Sequence, residues 1–143
     1  IYLQGDSNII RNSRASFNVA GVRLNGVNNI LRDSRVRHND SDGVGITVYG
    51  RNYYYNNIIS NKTNTRFFPG VDSDWNTSTS PGPNIIGGPL LGGNYWSNPS
   101  HNGYSDTCID ADHNGFCDQP YDVEHGDSDC SDTNNCDYYP LTL

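Results

Sequence analysis

The sequence predicts an all-β fold, a right-handed parallel β-helix followed by a loop-rich C-terminal lobe. Three observations predict it. The first half repeats itself at an offset of 21 residues, short alternating apolar pieces separated by Asn and Gly recur between the copies, and the last third gathers acidic residues and all four cysteines. Only 34% of the chain is hydrophobic and it has no Met, too little for a large core of the usual kind. Ten Tyr, four Phe and two Trp argue equally against disorder. A fold that spends its residues on turns and polar ladders fits both facts.

The repeat aligns Ser7 to Asn18 with Asn28 to Asn39, and a looser third copy runs from Asn56 to Lys62. Between them lie Ile1 to Leu3, Val22 to Leu24 and Ile46 to Val48, flanked by Gly5, Gly21, Asn25, Gly26, Gly43 and Gly50. Units of this length made of short strands and Asn/Gly turns mark a solenoid. Asn and Gly tolerate the left-handed angles that corners require, and equivalent residues then stack about 4.8 Å apart. Ile9, Ile30 and Ile58 are expected to form an inward apolar ladder, Ala15 to lie beneath Val36, and Asn8, Asn29 and Asn57 to form an amide ladder. A leucine-rich horseshoe lacks its leucine pattern here, and alternating strands exclude helical repeats. The coils are expected over 1–62. An irregular insert follows over 63–91, rich in Pro, Ser and Thr, with Phe67, Phe68 and Trp75 as anchors. The cap is expected over 92–143, with Trp96 and Tyr121 packing it against the coils.

Between Asp106 and Asp137 the chain has nine Asp and Glu124 but no Lys or Arg. Within that stretch Asp110-Ala-Asp112-His-Asn114-Gly115-Phe116-Cys-Asp118 follows the first nine places of a calcium-binding loop, with alternate oxygens converging and glycine at the sharp turn. Asp110, Asp112, Asn114, the Phe116 carbonyl and Asp118 are the expected ligands. The twelfth place is Tyr121 rather than Glu, so Asp122, Glu124 or Asp106 would have to close the shell. A solvated acidic turn is the plainer alternative. The cysteines Cys108, Cys117, Cys130 and Cys136 allow three pairings, of which closeness favours 108 with 117 and 130 with 136. Their spacings match no zinc knuckle, and carboxylates suit calcium better. Asn39, Asn61 and Asn76 begin glycosylation sequons. Disulfides, calcium and sequons together point outside the cell or to its surface. With no signal peptide or transmembrane run, the chain reads as a mature or trimmed product.

The segments Gly92-Gly-Asn-Tyr-Trp-Ser97, Asp110 to Asp122 ending Gln119-Pro-Tyr-Asp122, and Tyr138-Tyr-Pro-Leu141 resemble the terminal segment of NosD-like β-helix proteins of archaeal and bacterial surfaces and periplasms. The Asn-rich repeats resemble their coils. The resemblance implies a β-helix with a calcium-binding-like terminal cap and no known catalysis; the cysteines are outside its pattern. Copper, which the family label mentions, finds no support in a chain without Met whose His38, His101, His113 and His125 are scattered.

Charge is divided sharply. Residues 1–66 hold all nine Lys and Arg against four acids, a balance of +5, whereas 67–143 hold twelve acids and no base. Arg11 over Arg32 and Arg14 over Arg35 would form an outward basic stripe able to grip a polyanion or the acidic end of another copy. The sequence opens in a strand with no visible N-terminal cap, so head-to-tail assembly into a filament or array is expected; a fragment of a longer protein is the alternative. The stripe could instead serve a carbohydrate-binding or polysaccharide-cleaving module, with Tyr53 to Tyr55 and Tyr95-Trp96 stacking on sugars. No paired carboxylates for hydrolysis join the arginines, since Asp33 and Asp42 have no evident partner. The expectation is therefore a non-catalytic extracellular structural protein, partnered by itself and by glycans rather than nucleic acid, without a membrane span.

Overall fold

A computed structural model describes residues 1–39, 44–131 and 133–143. Three strands make each coil. The first holds β1 (Tyr2–Gln4), β2 (Ile9–Arg11) and β3 (Arg14–Ser16); the second holds β4 (Ala20–Asn25), β5 (Ile30–Arg32) and β6 (Arg35–Arg37). The third holds β7 (Val44–Val48), β8 (Tyr53–Tyr55) and β9 (Ile58–Ser60). A fourth coil begins with β10 (Thr63–Phe67), makes a hairpin excursion of β11 (Ser80–Pro81) and β12 (Leu90–Leu91), and ends in β13 (Tyr95–Ser97). The sheets run β1-β4-β7-β10, β2-β5-β8 and β3-β6-β9-β13, and every pair within them is parallel. Beyond them lie one helical turn, α1 (Tyr104–Thr107), and an antiparallel pair, β14 (Tyr121–Asp122) with β15 (Cys136–Asp137).

The 21-residue offset sets the register of the first two coils: Tyr2 faces Arg23, Ile9 faces Ile30 and Arg14 faces Arg35. Corners repeat too. Ser7, Asn12 and Phe17 take left-handed angles in the first coil, Asn28, Asp33 and His38 in the second, and Asn56 in the third. Each is followed by an Asn or Ser that bonds the adjacent coil. Glycine is required at Gly26, where φ is +140° and a Cβ would run into the Gly5 carbonyl.

Three expectations need correction. The inward ladder is not Ile9, Ile30 and Ile58, because only the middle residue of a three-residue strand points inward. The inward row is Ile10, Leu31 and Tyr54, while Ile9 stays 59% exposed and Ile58 stands beside Arg35 on another sheet. The third copy is also one corner out of step: Asn57 stacks on Ser34, and the residue stacked on Asn29 is Asn52. Nor is 63–91 wholly irregular. β10 continues the first sheet, Asp74 bridges Tyr53, and Trp75 is buried against Tyr54 with ring centroids 4.3 Å apart.

Inward side chains grow toward the cap. Ala15, Val36, Ile59 and Trp96 form one buried row; Leu31 and Tyr54, with Trp75 stacked on Tyr54, form another. Trp75, Trp96 and Tyr121 then pack ring against ring and close the core, with Trp96 and Tyr121 at 5.0 Å. Aromatic area compensates for the scarcity of aliphatic residues.

Candidate metal centre and its capping network

Three polar ladders run along the coils, and two of them end in the acidic lobe. In the first, the N–H of Asn8 donates to Asn29 Oδ1, that of Asn29 to Asn52, that of Asn52 to the Ser73 hydroxyl, and that of Ser73 to Asn135 Oδ1. The second passes from Ser13 through Ser34, Asn57 and Asn94 to the carboxylate of Asp137. The third joins Asn18, Asn39, Asn61 and Asn64. An amide suits this place because its oxygen accepts an N–H of the preceding coil while its Nδ2 donates to a carbonyl of that coil, as Asn29 does with Asn8 and Gly5 and Asn57 with Ser34 and Leu31. Asn39 and Asn61, the first two sequons, are fully buried in the third ladder. Their Nδ2 groups donate to the Ala15 and Val36 carbonyls, so a glycan on either is incompatible with the fold. Asn76 is half-buried and remains the one compatible sequon.

Asp137 joins cap to coils. It is fully buried and accepts N–H groups of Asn94 (2.8 Å), Trp96 Nε1 (2.8 Å) and Tyr139 (3.1 Å). Burial pushes its carboxyl up to about 7, against the pull of those donors. Sequence reasoning missed this residue; its only signal was a position just before the Tyr138-Tyr-Pro-Leu segment.

The acidic loop is attached to the same strap. Cys108–Cys117 and Cys130–Cys136 are both formed, the pairings that closeness favoured. Phe116 bridges Leu141, the Cys117 N–H donates to the Pro140 carbonyl, and Leu141 N–H donates to the Asn94 carbonyl. Within the loop, carboxylate oxygens of Asp110, Asp112 and Asp118 lie within 4.8 Å of one another. Asp110 accepts the N–H groups of Asn114 (3.0 Å) and Gly115 (2.9 Å), and Gly115 takes φ +91°. Desolvation raises the Asp110 carboxyl, but these N–H donors outweigh it and leave it below its ordinary value. Asn114 donates to Asp112 and accepts from Phe116 N–H.

The three residues considered for closing the shell are engaged elsewhere. Asp122 is buried and accepts from the N–H groups of Glu124 and His125, with the His125 ring at 2.7 Å. Glu124 accepts from Asn135 and Thr133; Asp106 accepts from Tyr95, Ser97 and Gly103. Asp122 is thus held by the turn that follows β14 and is not among the carboxylates that converge in the loop.

The arginines stack as expected, Arg11 with Arg32 and Arg14 with Arg35, but on different sheets separated by the corner at Asn12 and Ser13. They make two stripes rather than one, and Arg32 is paired with Asp33 at 2.9 Å. Asp42 lies outside the described residues.

Fold and cap together define a parallel β-helix with a disulfide-fastened terminal lobe. Residues 1–101 match the family model described as periplasmic copper-binding protein (NosD), and the chain belongs to that family. No curated protein and no solved structure matches it significantly. The family and two disulfides place the chain outside the cytoplasm, in the periplasm or at the cell surface. No helix among the described residues is long and apolar enough to cross a membrane.

Proposed function

We propose that this chain is a non-catalytic structural module of a surface protein, with a cap set by calcium and with copies that associate through opposite charges. The observation that carries the calcium reading is the convergence of Asp110, Asp112 and Asp118 on a loop bonded to the strap that ends the coils. An all-oxygen donor set suits a hard cation. Asp110, Asp112, Asp118, Asn114 and the Phe116 carbonyl would hold it, and its charge would offset repulsion among the carboxylates. Copper fits this chain poorly. There is no Met, all four cysteines are in disulfides, and the two histidines that share a groove, His38 and His101, share it with the Arg37 cation.

Calorimetry with calcium and then chelator tests the reading. At calcium 100-fold above Kd the ion contributes about 2.7 kcal/mol, or roughly 10 °C in Tm for a chain of this size. Asp112→Ala should remove most of that difference. A Tm indifferent to chelator sinks the calcium reading.

Association is supported by the charge division, +5 against −12, with Arg11, Arg14 and Arg35 exposed on the basic half. Sedimentation should show larger species at low salt that dissociate as salt rises. Monomers at every salt concentration would exclude assembly by charge.

A further inference from the structure

A second site lies on the outer face of the β3-β6-β9-β13 sheet, away from the acidic loop. Arg37, Ser60 and Ser97 are in register across three coils. The two serines are small and buried, so they form the floor of a groove of about 310 Å³, bordered by Arg37, His38, Tyr95 and His101. Ile58 adds an apolar patch beside Tyr95, its neighbour in register.

The groove's chemistry is incomplete. The ion pairs formed among the described residues are Arg32–Asp33, Arg51–Asp74 and Asp122–His125, and none involves Arg37. Its Nε is buried without a hydrogen-bond partner. The terminal guanidinium nitrogens are neither buried nor bonded within the chain, so they are the donors that an acceptor entering the groove can reach. Opposite it, Tyr95 and Ser97 direct their hydroxyl protons to Asp106, at 2.8 and 2.7 Å. Both oxygens therefore keep lone pairs for an incoming hydroxyl. A guanidinium, two hydroxyl acceptors and an apolar patch describe a ligand with a carboxylate, hydroxyls and a flat C–H face.

We propose that this groove binds a uronate unit of an acidic glycan, its carboxylate on the Arg37 guanidinium and its ring over Ile58 and Tyr95. Arg14 and Arg35, exposed on the same sheet, extend the cationic strip toward neighbouring carboxylates of the polymer. The fork geometry of arginine matches a carboxylate in two parallel hydrogen bonds.

Titration calorimetry with a short oligoglucuronate and its methyl ester tests this. Wild type should bind the acid, and either esterification or Arg37→Gln should weaken Kd by roughly tenfold or more, with the Tm of the variant unchanged. His101→Ala, in an exposed loop, should weaken binding without touching the coils and keeps the test open if Arg37→Gln does not fold. Equal affinity for acid and ester, wild-type affinity in Arg37→Gln, or no binding by wild type would overturn the proposal. Binding lost on chelation yet indifferent to Arg37→Gln would move the ligand to the acidic loop and overturn it as well.

Discussion

Replacing Asp137 by Asn should change how stability depends on pH, and the direction follows from its surroundings. The carboxyl is buried and pushed up to about 7 from an unfolded value of 3.8. An acid whose folded pKa is raised contributes fully below the unfolded value, and that contribution is lost as pH rises through the folded one. Each unit is 1.36 kcal/mol, so wild type should lose about 4 kcal/mol between pH 4 and 7 from this group alone. An amide at this position cannot titrate. Its oxygen can keep the N–H groups of Asn94 and Trp96, but its NH₂ then faces the Tyr139 N–H that Oδ1 now accepts, costing about 1–3 kcal/mol. Asp137→Asn should therefore be the less stable protein at pH 4.5 and equal or better at pH 7.5. Urea denaturation of both proteins across that range, at fixed calcium, measures the difference, and titrations common to both cancel. Parallel pH profiles would refute the reasoning. They would mean that the N–H donors hold the carboxylate ionised in the fold despite burial.

Other outcomes follow from the same network. Asn57→Ala removes the side-chain partners of the Ser34 N–H and the Leu31 carbonyl, while the backbone N–H of residue 57 still reaches Asn94 Oδ1, so urea denaturation should show a loss of about 2–5 kcal/mol. Gly93→Ala puts a Cβ onto the Asp137 carboxylate and should release the cap, seen as fast hydrogen exchange over residues 134–142. Expressed in a glycosylating host, the protein should bear glycan at Asn76 alone by mass spectrometry of its peptides, because Asn39 and Asn61 are buried in a ladder.

The coils were legible because stacking repeats the same physical demand every turn. The 21-residue offset from Ile9 to Ile30 and from Arg14 to Arg35 is written in identical or similar letters. Letters failed where two different corners of a coil are spelled alike. Asn56-Asn-Ile-Ile resembles Asn28-Asn-Ile-Leu, yet it turns the next corner of its coil and stacks on Asp33-Ser34-Arg35-Val36. Direction failed for a different reason: Ile9 and Ile10 are the same residue type, and only the pleat decides which points inward. The loop of Asp110 to Asp118 was legible because its spacing is local. Asp137 was not, because its partners Asn94 and Trp96 are more than forty residues away and only the closed coil brings them together.

The same contrast explains the division of labour in the cap. An acidic lobe with few aliphatic residues has little apolar area of its own beyond Tyr121 and Val123, and two disulfides fasten it locally. Its attachment to the coils is not local. It consists of ladder ends, Asn135 completing one and Asp137 another, so each takes the place that a further coil's amide would occupy. The strap from Asn135 to Leu141 thus presents to the fourth coil what every coil presents to the one before it. A carboxyl group at Asp137 differs from the ladder amides in offering two oxygens to neighbours that are all donors, Asn94 N–H, Trp96 Nε1 and Tyr139 N–H, with no carbonyl there to be satisfied by an amide NH₂.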